Sequence, residues 1–152
     1  MSKEFKHIVR IAGVDLDGSL SVAYALSRIK GVGIRLAHAI LNRLNIRSDA
    51  RLGFLGESDV EKIENAILNI KDLDVPSWLL NRRKDMESGE DIHLIGSDLD
   101  LRIKSDIELM KAIKSWKGYR HAYGLKVRGQ RTRTTGRTGK TIGVKKKRGG
   151  RR

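Results

Sequence analysis

The stretch KGVGIRLAHAIL, residues 30–41, sets two glycines one residue apart in front of a helical run. One glycine is enough to end a helix, so the second asks for a separate reason. Leu26, Ile29, Gly31, Gly33, Ala37 and Ile40 fall at the spacing of two helices joined by a tight G-hydrophobe-G turn. A glycine at each flank lets the backbone pass through left-handed geometry and lets a phosphate approach without meeting a Cβ. The second helix then points its unpaired amides and partial positive charge at that phosphate. We therefore expect Lys30, Gly31, Gly33 and Arg35 to contact sugar-phosphate backbone, contacts that fix position and carry no base sequence. The plainer reading is an ordinary helix–helix turn, with Gly31 as a cap and Gly33 relieving crowding.

A second constellation occupies the carboxyl-terminal third. Residues 1–100 hold 14 Lys and Arg against 16 Asp and Glu, whereas residues 101–152 hold 18 against 2, so the net charge of +14 lies wholly in the latter. From Leu109 onward there is no acidic residue. Such a segment repels itself and needs a polyanionic surface. Within it, GYRHAYGLKVRGQRTRTTGRTGKT alternates cations with Gly, Thr and Gln. That mixture offers charge to phosphates and hydroxyl or amide groups to sugars and base edges. Tyr119, His121 and Tyr123 either stack on unpaired bases or pack against the preceding helix. A nuclear import signal needs only five to eight basic residues, far fewer than this run. An amphipathic membrane helix is excluded by the glycine spacing.

Catalysis has no comparable support. The four histidines, His7, His38, His93 and His121, show no metal-binding spacing, and the chain has no Cys. Asp15 and Asp17, in DLDG, read as turn chemistry rather than a magnesium site. No nucleophile elbow, P-loop or dinucleotide fingerprint occurs. We expect no enzyme activity, no metal and no cofactor. Without a long apolar run or an apolar amino-terminal stretch, the protein is expected to be soluble and intracellular.

The elements that must position these residues read as mainly α. After an extended start, Ser19 is expected to cap a helix to about Lys30, followed by a second helix from about Gly33 to Leu44. A third is expected from Ser58, with Ser58 and Glu61 as a capping box and Val60, Ile63, Ile67 and Ile70 buried. Pro76 opens a short helix in which Trp78 is expected to anchor the core. Residues 85–97 read as a loop or small hairpin. A long helix from about Asp98 to Trp116, with Leu99, Ile103, Ile107 and Met110 along one side, is expected to end at Gly118. Residues 118–152, with eight glycines, have too few apolar side chains to order themselves. The expected division is thus 1–84, a helical domain with its hairpin at 30–34; 85–117, the loop and long helix; and 118–152, an extended basic tail.

The segments RIAGVDLDG, IKGVGIRLAHAIL, VPSWLLNRRKD and KGYRHAYGLKVRGQRTRTTGRTGKTIGV, in this order, closely resemble the universal small-subunit ribosomal protein thirteen family. VRGQRTRTTGRTGKT is the most specific of them, and the inserted WLLNRRKDMESGEDIHLI and the GVKKK ending resemble the archaeal and eukaryotic branch. The resemblance implies a helix-two-turn-helix domain, related to helix-hairpin-helix folds, with a long carboxyl-terminal extension. It further implies a structural role in the head of the small subunit, binding rRNA beside small-subunit protein nineteen. A bridge to large-subunit protein five and large-subunit rRNA, and an approach of the tail to peptidyl-site tRNA, are implied as well. Carried onto this chain, Lys30, Gly31, Gly33 and Arg35 face rRNA phosphates. Arg120, His121, Lys126, Arg128, Gln130, Arg131, Arg133, Thr134, Thr135, Arg137 and Lys140 thread the rRNA. Lys145, Lys146, Lys147, Arg148, Arg151 and Arg152 lie nearest tRNA. The alternative is a helix-hairpin-helix DNA-binding protein; the related glycosylases use a proline after the initiator Met, where this chain has Ser2. A histone-like condensing protein would not need so specific an order of Gly, Gln and Thr.

Overall fold

The computed structural model describes residues 5–137 together with Gly139 and Gly143. The chain divides into two units, residues 1–103 and 104–152. The fold is mainly α: five α-helices and one two-stranded antiparallel sheet among the described residues.

The extended start is a β-hairpin of β1 (Ile8–Ile11) and β2 (Val14–Asp17), in register from Ile8↔Asp17 to Ile11↔Val14. Ala12 and Gly13 form its two-residue turn, both at positive φ, which matches the twist of the strands. Alternation then buries Val9, Ile11 and Leu16 on one face. Asp17 serves the following turn, its Oδ1 accepting from the Ser19 amide at 2.8 Å.

Ser19 is therefore not a helix cap. Helix α1 (Val22–Leu26) starts after Ser21, and no side chain caps it. Two of its early amides donate instead to neighbouring chain, Val22 to the Ala50 carbonyl and Ala23 to that of Ser48. Beyond Leu26 the expected helix tightens into turns, with Arg28, Ile29 and Val32 each bonding three residues back. Helix α2 (Ile34–Arg43) buries Leu36, Ala37, Ile40 and Leu41. Asn45, at φ 55°, stops it, and the amides of Asn45 and Ile46 bond back to Asn42 and Leu41, a Schellman motif with Asn in the usual glycine position.

Helix α3 (Glu57–Leu68) follows Gly56 and has no side-chain cap. The expected capping box fails because the helix begins earlier and Ser58 is already inside its first turn. Glu57 and Asp59 instead complement the positive helix end. Its inner face buries Ile63 and Ile67, with Ile70 buried in the 3-10 turn that follows. These side chains join those of the hairpin, α1 and α2 in one core, each large one contributing about 2 kcal/mol on burial.

Trp78 does not belong to that core. The turn after Pro76 is a single 3-10 turn, Ser77–Leu79. It packs Leu79 and Leu80 against the core and leaves Trp78 70% exposed. Of the loop expected over 85–97, residues 85–91 lie inside a loop closed by a bridge between Arg82 and Ile92, whereas Gly96 and Ser97 already belong to the helix that follows. The buried carboxylate of Asp85 ties it down, accepting from Arg82 and from Arg102 Nη2 at 2.8 Å. These guanidiniums hold the Asp85 carboxyl well below the usual carboxylate range.

Helix α4 (Gly96–Ala112) ends four residues earlier than expected, and no side chain on it is buried. Leu99, Ile107 and Met110 are half-buried and Ile103 is exposed. Lys114, at φ 56°, breaks the helix, and the amides of Lys114 and Ser115 close on Lys111 and Met110. A further helix, α5 (Trp116–Ala122), then begins. Gly118 does not stop a helix; it lies buried inside this one, where a Cβ would strike the Met110 carbonyl.

Candidate nucleic-acid interface

Gly31 makes the turn between α1 and α2. Its φ of 94° is left-handed, and an added Cβ would sit 2.5 Å from the Leu94 carbonyl oxygen. The turn is held from behind by residues 93–96. The Gly96 amide donates to the Lys30 carbonyl at 2.9 Å, and His93 Nε2 lies 3.0 Å from the Gly31 carbonyl oxygen. Because the Asn81 amide donates to His93 Nδ1 at 3.2 Å, Nε2 must carry the proton and donate to Gly31. Asn81 completes the clasp, donating from Nδ2 to the Leu94 carbonyl at 2.7 Å and accepting from the Leu94 amide at 3.0 Å. Burial pushes the His93 imidazole below its ordinary pKa, only partly opposed by the bond to Gly31. It is a neutral strut.

The outer side of the turn is open. Gly33, the residue before α2, has φ −89° and no atom within 4 Å of the place a Cβ would take. No side chain caps α2 and no acidic residue lies in its first turn, whereas α3 carries Glu57 and Asp59 there. Arg35 occupies that first turn, exposed. A cation at the positive end of a helix is unfavourable unless an anion is supplied from outside. Of the two glycines, one is demanded by backbone geometry and packing, and the other leaves the amides uncovered. Lys30 is engaged within the 1–103 unit, its ammonium 2.5 Å from Asp100 Oδ2.

In the carboxyl-terminal unit, Arg120 donates from Nε to the Lys126 carbonyl at 2.9 Å while its own carbonyl accepts from Leu125. His121 is half-buried on α5. Lys126, Arg128, Gln130, Arg131, Arg133, Thr134, Thr135 and Arg137 are all exposed. Their hydrogen bonds are local: Arg128 amide to Gln130 Oε1, Thr135 hydroxyl to the Arg131 carbonyl, and Arg137 Nη2 to the Arg133 carbonyl. Positive φ at Gly124, Gly129, Gly136 and Gly139 bends the chain at short intervals. Lys140, Lys145, Lys146, Lys147, Arg148, Arg151 and Arg152 lie outside the described residues.

Residues to which the sequence assigns no part in this turn include His93, Asn81 and Gly96, which brace it from up to 66 positions away in the chain; no local pattern announces such a partner. Trp116 reads from sequence only as the end of the long helix. Ser115 is the available signal, a good cap three residues before a glycine.

Among the described residues, no group of three or more His, Asp or Glu stands close enough to hold a metal ion. No helix among them is long and apolar enough to cross a membrane. The fold and charge thus define a small, mainly helical protein with a braced glycine hairpin and a strongly cationic carboxyl-terminal arm. The family model described as ribosomal protein S13/S18 matches residues 10–138. Similar proteins include the small ribosomal subunit protein uS13 of Staphylothermus marinus, 55% identical over 147 residues, 97% of each chain. Those of Pyrobaculum calidifontis and Thermofilum pendens are both 56% identical, covering 97% and 96% of this chain and 95% and 93% of theirs. The chain belongs to the ribosomal protein S13/S18 family, in its archaeal-type branch: a structural, non-enzymatic component of the ribosome, working in the cytoplasm.

Proposed function

We propose that the protein binds small-subunit rRNA in the head of the subunit by two means. The hairpin of the 1–84 domain docks main-chain amides of α2, with Gly33 and Arg35, on a phosphate; the 118–152 arm follows an RNA groove with Arg120, His121, Lys126, Arg128, Gln130, Arg131, Arg133, Thr134, Thr135, Arg137 and Lys140. Gly31 shapes the turn, and Lys30, paired with Asp100, flanks it. Residues 85–117 join the two. The reading extends to small-subunit protein nineteen as neighbour, to a bridge with large-subunit protein five and large-subunit rRNA, and to tRNA approached by Lys145–Arg152.

One observation carries this reading: the 44 residues from Leu109 to the end contain 16 Lys and Arg and no carboxylate side chain. A surface of that composition is neutralised only from outside. The test is binding of the full chain to a transcript of the head domain of small-subunit rRNA across a salt series, beside a chain truncated after Lys126. Steep salt dependence is expected for the first and a much shallower slope for the second. Equal slopes would remove the arm from the interface.

A further inference from the structure

The seven-residue helix α5 and Tyr123, the residue that ends it, carry an exposed row of aromatic rings. Trp116, Tyr119 and Tyr123 fall at i, i+3 and i+7, one side of a helix. The Trp116 and Tyr119 rings are nearly parallel, 9° apart in plane with centroids 5.7 Å apart; Tyr119 and Tyr123 follow at 4.7 Å with a 44° tilt. The Arg120 guanidinium lies 5.9 Å from the Trp116 ring centroid, at the outer limit of a cation–π contact. The three side chains are 72%, 51% and 66% exposed. Packing against the preceding helix, one of the two readings open for Tyr119 and Tyr123, leaves most of their surface in water. Three touching aromatics exposed together mark a surface built to be covered.

The surrounding charge selects what covers it. Lys111, Lys114, Lys117, Arg120 and Lys126 stand before, between and after these rings in the chain, and no acidic residue occurs from Leu109 onward. Two of these lysines, Lys111 and Lys114, line a groove with Gly118, Tyr119 and Ala122. An apolar protein face laid on the rings would have to desolvate these cations without compensation. A nucleotide brings a flat ring for the aromatics and a phosphate for the ammonium groups. We propose that Trp116, Tyr119 and Tyr123 form a stacking platform for unpaired RNA bases, with Lys111 and Lys114 receiving the adjoining phosphates. The inference rests on the RNA-binding reading above and adds to it a base-contacting function for α5.

The two contributions separate with salt, because phosphate contacts are screened and stacking is not. In a full-length chain carrying Trp78→Phe, Trp116 is the sole tryptophan and reports directly. Titration with single-stranded oligoadenylate at raised salt is expected to quench its fluorescence, whereas an abasic oligomer with the same phosphates is expected not to. Trp116→Ala should weaken oligoadenylate binding about ten-fold with an unchanged salt slope, and Trp116→Tyr should restore it. Circular dichroism of the Ala variant shows whether α5 persists; the Tyr variant and the abasic comparison decide the matter if it does not. Equal binding of abasic and base-bearing oligomers by the Trp78→Phe chain would overturn the platform while leaving phosphate binding intact, as would binding of wild-type strength by Trp116→Ala. Failure of both oligomers to bind at low salt would overturn the RNA-binding reading itself.

Discussion

Gly31 and Gly33 are the same residue type serving opposite needs. Gly31 meets an internal demand, since a left-handed φ and the Leu94 carbonyl both exclude a Cβ. Gly33 meets none: its backbone suits any residue and the space beside it is empty. Gly33→Ser separates stability from binding, because a serine caps a helix slightly better than glycine, by a few tenths of a kcal/mol. Its hydroxyl would occupy the amides proposed for phosphate. The expected result is an unchanged or slightly raised melting temperature with RNA binding weakened about ten-fold, the value of one hydrogen bond to a charged group. Intact binding would show that the amides are idle. His93 supplies a pH dependence whose sign is fixed by its burial. Its pKa is lower folded than unfolded, so the unfolded chain takes up the proton more readily. Its contribution is therefore present above about pH 6.5, the ordinary imidazole value, and is lost as pH falls from there toward the lowered one. Denaturant midpoints at neutral and mildly acidic pH should diverge more in the natural chain than in His93→Gln.

At the scale of elements, the break between α4 and α5 has the largest functional consequence. A continuous helix through Trp116 would have left the tyrosines in an unstructured tail and Trp116 at a helix end. Instead, Ser115 serves both helices: its hydroxyl donates to the Met110 carbonyl at 2.9 Å and accepts from the Gly118 amide at 3.1 Å. Ser115→Ala should cost about 1 kcal/mol, felt as faster amide exchange in residues 116–122 rather than in the core helices. Unchanged protection there would mean that the turn is held by packing at Gly118 alone. The break is hard to read from sequence because it contains neither Gly nor Pro; a lysine occupies the left-handed position, and apolar spacing continues across it. By contrast, α2 and α3 are legible within a residue or so. Their apolar stripes are long, and the periodicity picks out Ala37, Ile40 and Leu41 in α2 and Ile63 and Ile67 in α3, all buried, together with Leu44 and Val60, which are half-buried.

For the whole molecule, the division of charge is the governing fact. Residues 1–103 hold 15 basic and 16 acidic side chains, and residues 104–152 hold 17 and 2. The first unit neutralises itself through pairs such as Lys6–Glu57, Lys71–Glu90 and Arg102–Glu87. The second has cations far in excess of its carboxylates. Truncation after Lys126 removes 11 Lys and Arg, and the salt slope falls by about 0.7 to 0.9 for every phosphate that the shortened chain leaves unneutralised. The expected difference between the two chains is therefore several units of slope, read from the salt series.

The sequence by itself determined the helical character of the chain, the glycine turn and the cationic arm, because periodicity, turn chemistry and charge are local properties. Its motif order also carried the family. Tertiary structure decided which partner each turn leans on. His93, Asn81 and Gly96 brace Gly31 and Lys30 across a long stretch of chain, Asp100 engages Lys30, and Trp78 faces water because its neighbours Leu79 and Leu80 fill the place expected for it. Those outcomes depend on which surfaces meet once the core closes, and no short window of residues contains both sides of such a contact.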